Sequence, residues 1–473
     1  MSDFPDFENY NSAEIKLSIE KFERVLNGET QCYFDVDEFA DMIDFYLLKI
    51  EAAKALEVIK YAQKQHPSSS VFQLKEAQVL AFTGKYENAL DIVEKAMISN
   101  PNDPETYAIR GSIYSQLERY PEAIENYEKA IPLSDSPEEL YSDIAYSYVS
   151  CGEYEKAIDY FKRCLVNNHT DESIFYEIGY CFEMLDNVGL SLEFYSNYVD
   201  ENPYSSIAWY SLGIAFNKNE MYERALEAFD YALLIDENCL PAHFGKGNTY
   251  SQLNHYAEGI ESFKKSIGDE ETKALTYYSI GENYEKLGIL DQAELNYKIA
   301  VQMDPFYADA WYGLGIVMDM HNKYLDARYY YKKAVEHEPL NSYFLNALAG
   351  AESKLGNITD AETLYVGIIE KDPLHIDTWL DYSAMLMNEG QEDQAYKIIE
   401  DAIHFYHGEA DLYYRIGFYA FLQGNIAESF NFFEKGLALN FEGHTIVFEY
   451  LPELRKNEKF LYLINTYDQK NEF

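Results

Sequence analysis

Two glycine-rich phrases, GKGNT at 245–249 and GLG at 313–315, are the nearest this sequence comes to a nucleotide site. A phosphate loop needs the order GxxxxGK[ST], so that backbone amides and a lysine converge on the phosphates, and a dinucleotide turn needs a third glycine between a strand and a helix. Neither order is present. The ten histidines show no HExxH or comparable ligand spacing, and the five cysteines (32, 151, 164, 181 and 239) include no CxxC pair. Nothing meets the geometric requirements of a catalytic site, so no enzyme, cofactor or metal is expected. What remains is non-covalent chemistry: 45 Tyr and 28 Phe offer rings, and 82 Asp and Glu stand against 37 Lys and Arg, a formal net charge of −45.

That field repels phosphate backbones and anionic headgroups, so nucleic acid and membrane are expected not to be partners. It also keeps a long, surface-rich chain in solution. The opening residues MSDFPDFENY carry acids where a secretory leader has bases, and residues 1–12 are expected to be disordered. No apolar stretch reaches bilayer length. An odd number of unpaired cysteines, with Cys164 read as a small buried residue, points to a reduced, cytoplasmic setting.

Any binding residues have to be positioned by a repeat. The phrase AWYSLGIAF at 208–216 returns as AWYGLGIVM at 310–318, and a register of 34 residues starting at Val36 runs through 36–443 in twelve copies without insertion. Position 4 is usually aromatic (Phe39, Trp209, Trp311, Trp379). Position 8 is small in all copies but the first (Gly111, Gly179, Gly213, Gly281), and position 20 is Ala, Gly or Ser in every copy. Position 24 is aromatic or branched, and proline recurs at position 32 (Pro67, Pro203, Pro305). Positions 4, 7, 8 and 11 form one stripe of a 3.6-residue helix, and 20, 24 and 27 form a stripe of a second. Each repeat is therefore two amphipathic helices, with position-8 glycines expected to face position-20 alanines. One pair cannot bury its apolar face alone, so the pairs must stack into a solenoid.

This pattern resembles the tetratricopeptide repeat family, whose signature is W-x2-L-G-x2-Y, A-x3-F and P with a 34-residue period. The resemblance implies an all-α, right-handed superhelical solenoid of antiparallel helix pairs, with the first helix of each pair lining a concave groove. On this reading, residues 1–35 are a tail and capping helix (AEIKLSIEKFERVL, 13–26), 36–443 are twelve repeats, and 444–473 are degenerate capping helices.

Positions 2, 5, 6, 9 and 12 lie opposite the packing stripe. Across the twelve copies these sixty positions hold fifteen acids and two bases, Lys75 and Arg415. In repeats 4 to 9 they carry a ladder of rings, Tyr146, Tyr176, Tyr180, Tyr210, Phe244, Tyr278 and Tyr312, edged by acids that include Glu177, Glu183, Glu282, Glu285, Asp309 and Asp319. Tyrosines give rigid contact area and a hydroxyl for a peptide backbone, although a ring at position 5 also fits packing between neighbouring helices. The carboxylate clamp of chaperone-tail-binding members, which the resemblance would require at positions 5 and 9, is missing: position 5 has no lysine, and position 9 has asparagine only at Asn248. The sequence thus predicts a non-catalytic adaptor or scaffold that binds a basic or neutral protein segment in an acidic, tyrosine-rich groove of repeats 5 to 9. Two alternatives stand beside it. One is a structural module forming a homo-oligomer through its terminal repeats, where Tyr414, Phe418, Phe421 and Leu422 make an apolar patch. The other is a recruitment subunit of an enzyme complex.

Overall fold

The structure, a computed structural model, describes residues 13–166, 171–268 and 273–471; residues 1–12, expected to be disordered, lie outside them. Among the described residues the chain forms α-helices joined by short turns and no strand, so the fold is all-α. First helices open at Val36, Val71, Pro104, Glu138, Glu172, Ser206, Leu240, Lys273, Ala308, Ser342, Ile376 and Ala410, within one residue of the sequence register. Each is followed by a second helix, as Glu172–Met184 is by Val188–Glu201 and Lys273–Lys286 by Leu290–Met303.

Local chemistry sets the ends of these helices. Asp35, just before the first repeat, and Asp103, Asp171, Ser205 and Asn341, at position 34, accept hydrogen bonds from the first free amides of the helix that follows. Between the two helices the chain reverses on a single residue at position 15 with positive φ. It is glycine in half of the copies (φ 75° at Gly84, 82° at Gly424), but Ile50, Glu118, Asp186, Glu220, Asn254 and Asn322 adopt the same conformation, with φ of 61° at Ile50. The next amide then returns to an orphan carbonyl of the first helix, as Lys85 N does to Leu80 O at 2.9 Å.

The position-20 alanines are fully buried, Ala55, Ala157, Ala225, Ala293 and Ala395 among them. The expectation that glycine 8 faces alanine 20 needs correction. Position 20 does touch the backbone at position 8, and Ser429 Oγ donates to Gly417 O at 2.7 Å. The space a glycine Cβ would fill belongs instead to the position-24 ring: a Cβ added at Gly213 would lie 2.5 Å from Phe229, at Gly247 2.6 Å from Phe263, and at Gly281 2.7 Å from Tyr297. A helical wheel identifies which face is buried. It does not reveal that a ring stands over the bare backbone.

Two of these rings are each gripped by two glycines. Phe229 also meets Gly245, where a Cβ would lie 2.7 Å away, and Tyr297 also meets Gly313, at 2.6 Å. Each ring therefore packs its own repeat and the next. Repeat 5 departs from the rule, since a Cβ on Gly179 would lie no closer than 3.6 Å, from the Tyr195 hydroxyl.

The chain divides into two compact units, Met1–Gly245 and Lys246–Phe473, the division falling inside the helix Leu240–Gln252. In the first unit the opening helix Ala13–Leu26 lays Phe22 edge-on against Phe34, Phe39 and Tyr61 at 5.7–6.4 Å, covering the apolar end of the stack. In the second unit the helices Thr445–Tyr450 and Glu458–Asn471 do the same at the other terminus, burying Val447, Leu451, Leu454 and Phe460.

Candidate functional site

In the first unit the ring residues named from the sequence occupy four first helices. Tyr146 rests edge-on against Phe161 at 5.4 Å, and burial, reinforced by Glu177, pushes its phenol up to about 12. Tyr210 lies 6.1 Å from Phe229, and its phenol is likewise raised by burial. Phe244 is half-buried beside the glycine that grips Phe229. Tyr176 and Tyr180 differ from these. One helical turn apart on Glu172–Met184, they are 48% and 45% exposed, and Tyr180 meets the Tyr154 ring edge-on at 6.3 Å.

In the second unit the rings are more occupied. Tyr278 sits between Tyr297 at 5.7 Å and Tyr307 at 5.2 Å, and Tyr312 lies over Phe344 at 4.9 Å. The acids differ from one another. Burial raises the carboxyls of Glu282, Glu285 and Asp309 above their ordinary values. For Glu285 the Tyr297 hydroxyl, donating at 2.7 Å, pulls the other way. Asp319 is held by Lys354 at 2.6 and 2.8 Å.

That lysine lies outside the face that helical periodicity assigns to the groove. It stands at position 13, outside positions 2, 5, 6, 9 and 12, yet Lys354 reaches back to an acid at position 12 of the preceding repeat, and Lys218 does the same to Glu183 at 3.0 Å. A long side chain crosses between helices that a residue-by-residue wheel keeps apart. These bases neutralise part of the expected acidic edge.

The first-helix face also forms two clefts. One, of about 380 Å³ in the second unit, is bordered by Tyr312, Asp319, Tyr343, Lys354 and Asp377. The other, of about 610 Å³ in the first unit, lies over repeats 1 to 4, outside the stretch favoured by the sequence. It holds the Asp44–Lys75 ion pair at 2.7 Å and Glu105, whose carboxyl burial raises.

Neither glycine phrase is a phosphate loop, because both lie within helices; Gly247 and Gly315 are packed against the rings of Phe263 and Tyr331. Among the described residues no cluster of His, Cys, Asp and Glu is arranged to hold a metal, and no helix is long and apolar enough to cross a membrane.

The models that match this chain are all of one kind. That of the N-terminal TPR repeats region of Psidin matches residues 41–160, and two models of the tetratricopeptide repeat itself match 240–268 and 278–339. The chain is a tetratricopeptide repeat protein. Its repeats make it, in general terms, a protein-interaction scaffold. Among solved structures, the tetratricopeptide chain is similar to one in the APC/C hetero-tetramer Cut9-Hcn1, at 11% identity over 91% of this chain and 93% of that one, with a TM-score of 0.43. It is also similar to YrrB, described as a TPR protein with an unusual peptide-binding site (21% identity, 39% and 95% covered, TM-score 0.33), and to MamA (23%, 36% and 92%, 0.33). No curated protein matches it.

The apolar patch expected to mediate assembly is covered by the chain itself. Tyr414 is fully buried, with its hydroxyl donating to Asn440 O at 2.7 Å, and Phe418 stacks on Tyr450 at 5.0 Å. Phe421 packs into the closing cluster, and Leu422 remains 47% exposed. The closing helices continue the stack beyond the regular register, so the patch is the last interface inside the chain.

Proposed function

We propose that the chain is a non-catalytic adaptor that holds a segment of a basic or neutral partner protein on its first-helix face. The observation that carries this reading is the half-exposure of Tyr176 and Tyr180 on one helix face, next to Glu177 and to Glu183, whose charge Lys218 partly offsets, while the equivalent rings of neighbouring repeats are packed. Exposed aromatic pairs of this kind supply anchors at low entropic cost, and nearby carboxylates favour cationic side chains. In the second unit Tyr278, Tyr312, Glu282, Glu285, Asp309 and Asp319 serve mainly to shape and charge the groove wall. The strong net negative charge argues against nucleic acid and anionic membranes, and the five free thiols support a reduced, cytoplasmic setting.

The test is affinity capture from native lysate with wild type and a Tyr176→Ala/Tyr180→Ala variant. Capture should be lost, since truncated anchors typically cost about 2 kcal/mol or more each, while the thermal melt stays within a few degrees of wild type. A variant that stays folded and captures the same partners would remove the basis for this reading.

A further inference from the structure

Repeat 5 opens a second surface, on the side of the solenoid formed by second helices. Because Gly179 has no ring seated on it, Tyr195 is free to stack on Phe175 at 6.2 Å, and Phe182 and Phe194 lie 5.8 Å apart. The result is a cleft of about 580 Å³ between Tyr154–Cys164 and Val188–Glu201. Its apolar lining includes Ile158, Val166, Phe182, Leu190, Phe194 and Tyr198. Val166 is 65% exposed and Leu190 42%.

An independent mark lies in the sequence. Leu190 occupies position 19, and the other eleven copies place a polar or charged residue there, such as Lys54, Glu122, Arg224, Asp326 and Glu428. Elsewhere this position faces water without an apolar group to hide. In repeat 5 alone a leucine stands at the mouth of a cleft.

The rim carries a strong charge of one sign. Glu155, Asp159, Glu193 and Glu201 surround the opening, and the single lining base, Lys162, lies 3.9 Å from Asp159 with its ammonium 5.1 Å from the Phe194 ring centroid. Among the described residues Glu155, Glu193 and Glu201 have no basic partner. An apolar floor inside a carboxylate ring matches an amphipathic segment that buries aliphatic side chains and presents Lys or Arg at its flanks.

We propose that this cleft is a docking site for such a basic amphipathic helix of another protein, separate from the first-helix face. The probe is a fluorescent helical peptide of about 16 residues with Leu at i, i+3 and i+7 on one face and Lys at the flanks, titrated against the full chain at low salt. Binding is expected to weaken about tenfold with Leu190→Lys and again with Glu193→Lys/Glu201→Lys, as loss of an anchor or of complementary charge should give. A peptide with its Lys replaced by Glu should not bind. Hydrogen exchange should show protection in 154–164 and 188–201, and Tyr176→Ala/Tyr180→Ala should leave the titration unchanged, which separates this site from the first-helix face. Absence of binding up to millimolar peptide, equal binding to the Leu190→Lys variant, or protection confined to first helices would overturn the proposal.

Discussion

The same substitution at the same repeat position is expected to change stability in opposite directions at Gly281 and Gly179. Alanine favours a helix interior over glycine by about 1 kcal/mol, and nothing opposes that gain at Gly179, where the new methyl would sit at an ordinary contact distance of 3.6 Å from the Tyr195 hydroxyl. At Gly281 the methyl would lie 2.7 Å from Cδ1 and Cε1 of Tyr297. That ring has little room to retreat: Gly313 also lies against it, and its hydroxyl is bonded to Glu285. Overpacking costs about 1–3 kcal/mol, so Gly281→Ala should be destabilising by up to about 2 kcal/mol after the helix gain, and Gly179→Ala stabilising by up to about 1 kcal/mol. A solenoid need not unfold in one step, so the urea midpoint should be paired with native-state hydrogen exchange of 273–303 and 172–201. Gly281→Ala should then cost little in a Tyr297→Leu background, since the clash partner is gone. Destabilisation of similar size at both glycines, or a stabilising Gly281→Ala, would refute the ring-over-glycine account.

Three further outcomes are expected. Ile50, a β-branched residue at φ 61°, should be improved by Ile50→Gly, because relief of the left-handed penalty of about 1–2 kcal/mol exceeds the entropy glycine adds to the unfolded chain; a lowered urea midpoint would contradict this. Burial raises the Glu282 carboxyl, so the native state holds that proton more tightly than the unfolded chain, and the corresponding stability is present below the ordinary carboxylate range and lost as pH rises through the folded value. Glu282→Gln should therefore raise the melting temperature at pH 7, with the gain fading as pH falls into that range; a pH-independent effect would show that the charge is not the cause. Thiol titration at pH 8 should leave Cys181, fully buried and pushed up to about 12, unreacted until denaturant is added.

The repeat period exposed the helix pairs and their buried stripes, because Ala225, Phe229 and Ala232 must return on one face of every second helix. Position 15 was also legible in principle, as glycine or asparagine recurs there, but Ile50 and Glu220 adopt the same turn without that signature. The binding face was read less well. Position 5 borders both solvent and the neighbouring helix, and only packing decides which a ring chooses; Tyr176 stays out while Tyr278 is enclosed. Charge counts failed for a related reason, since Lys218 and Lys354 act on residues 35 positions away.

A ring gripped by glycines of two successive repeats belongs to neither. When a chain end is pulled and one repeat peels away, Phe229 or Tyr297 is left against one glycine instead of two, and the repeat that supplied it loses its wedge at the same moment. Around these two residues, resistance to force is a property of pairs, so extension should proceed in double lengths there and in single ones near Gly179, where no such grip exists.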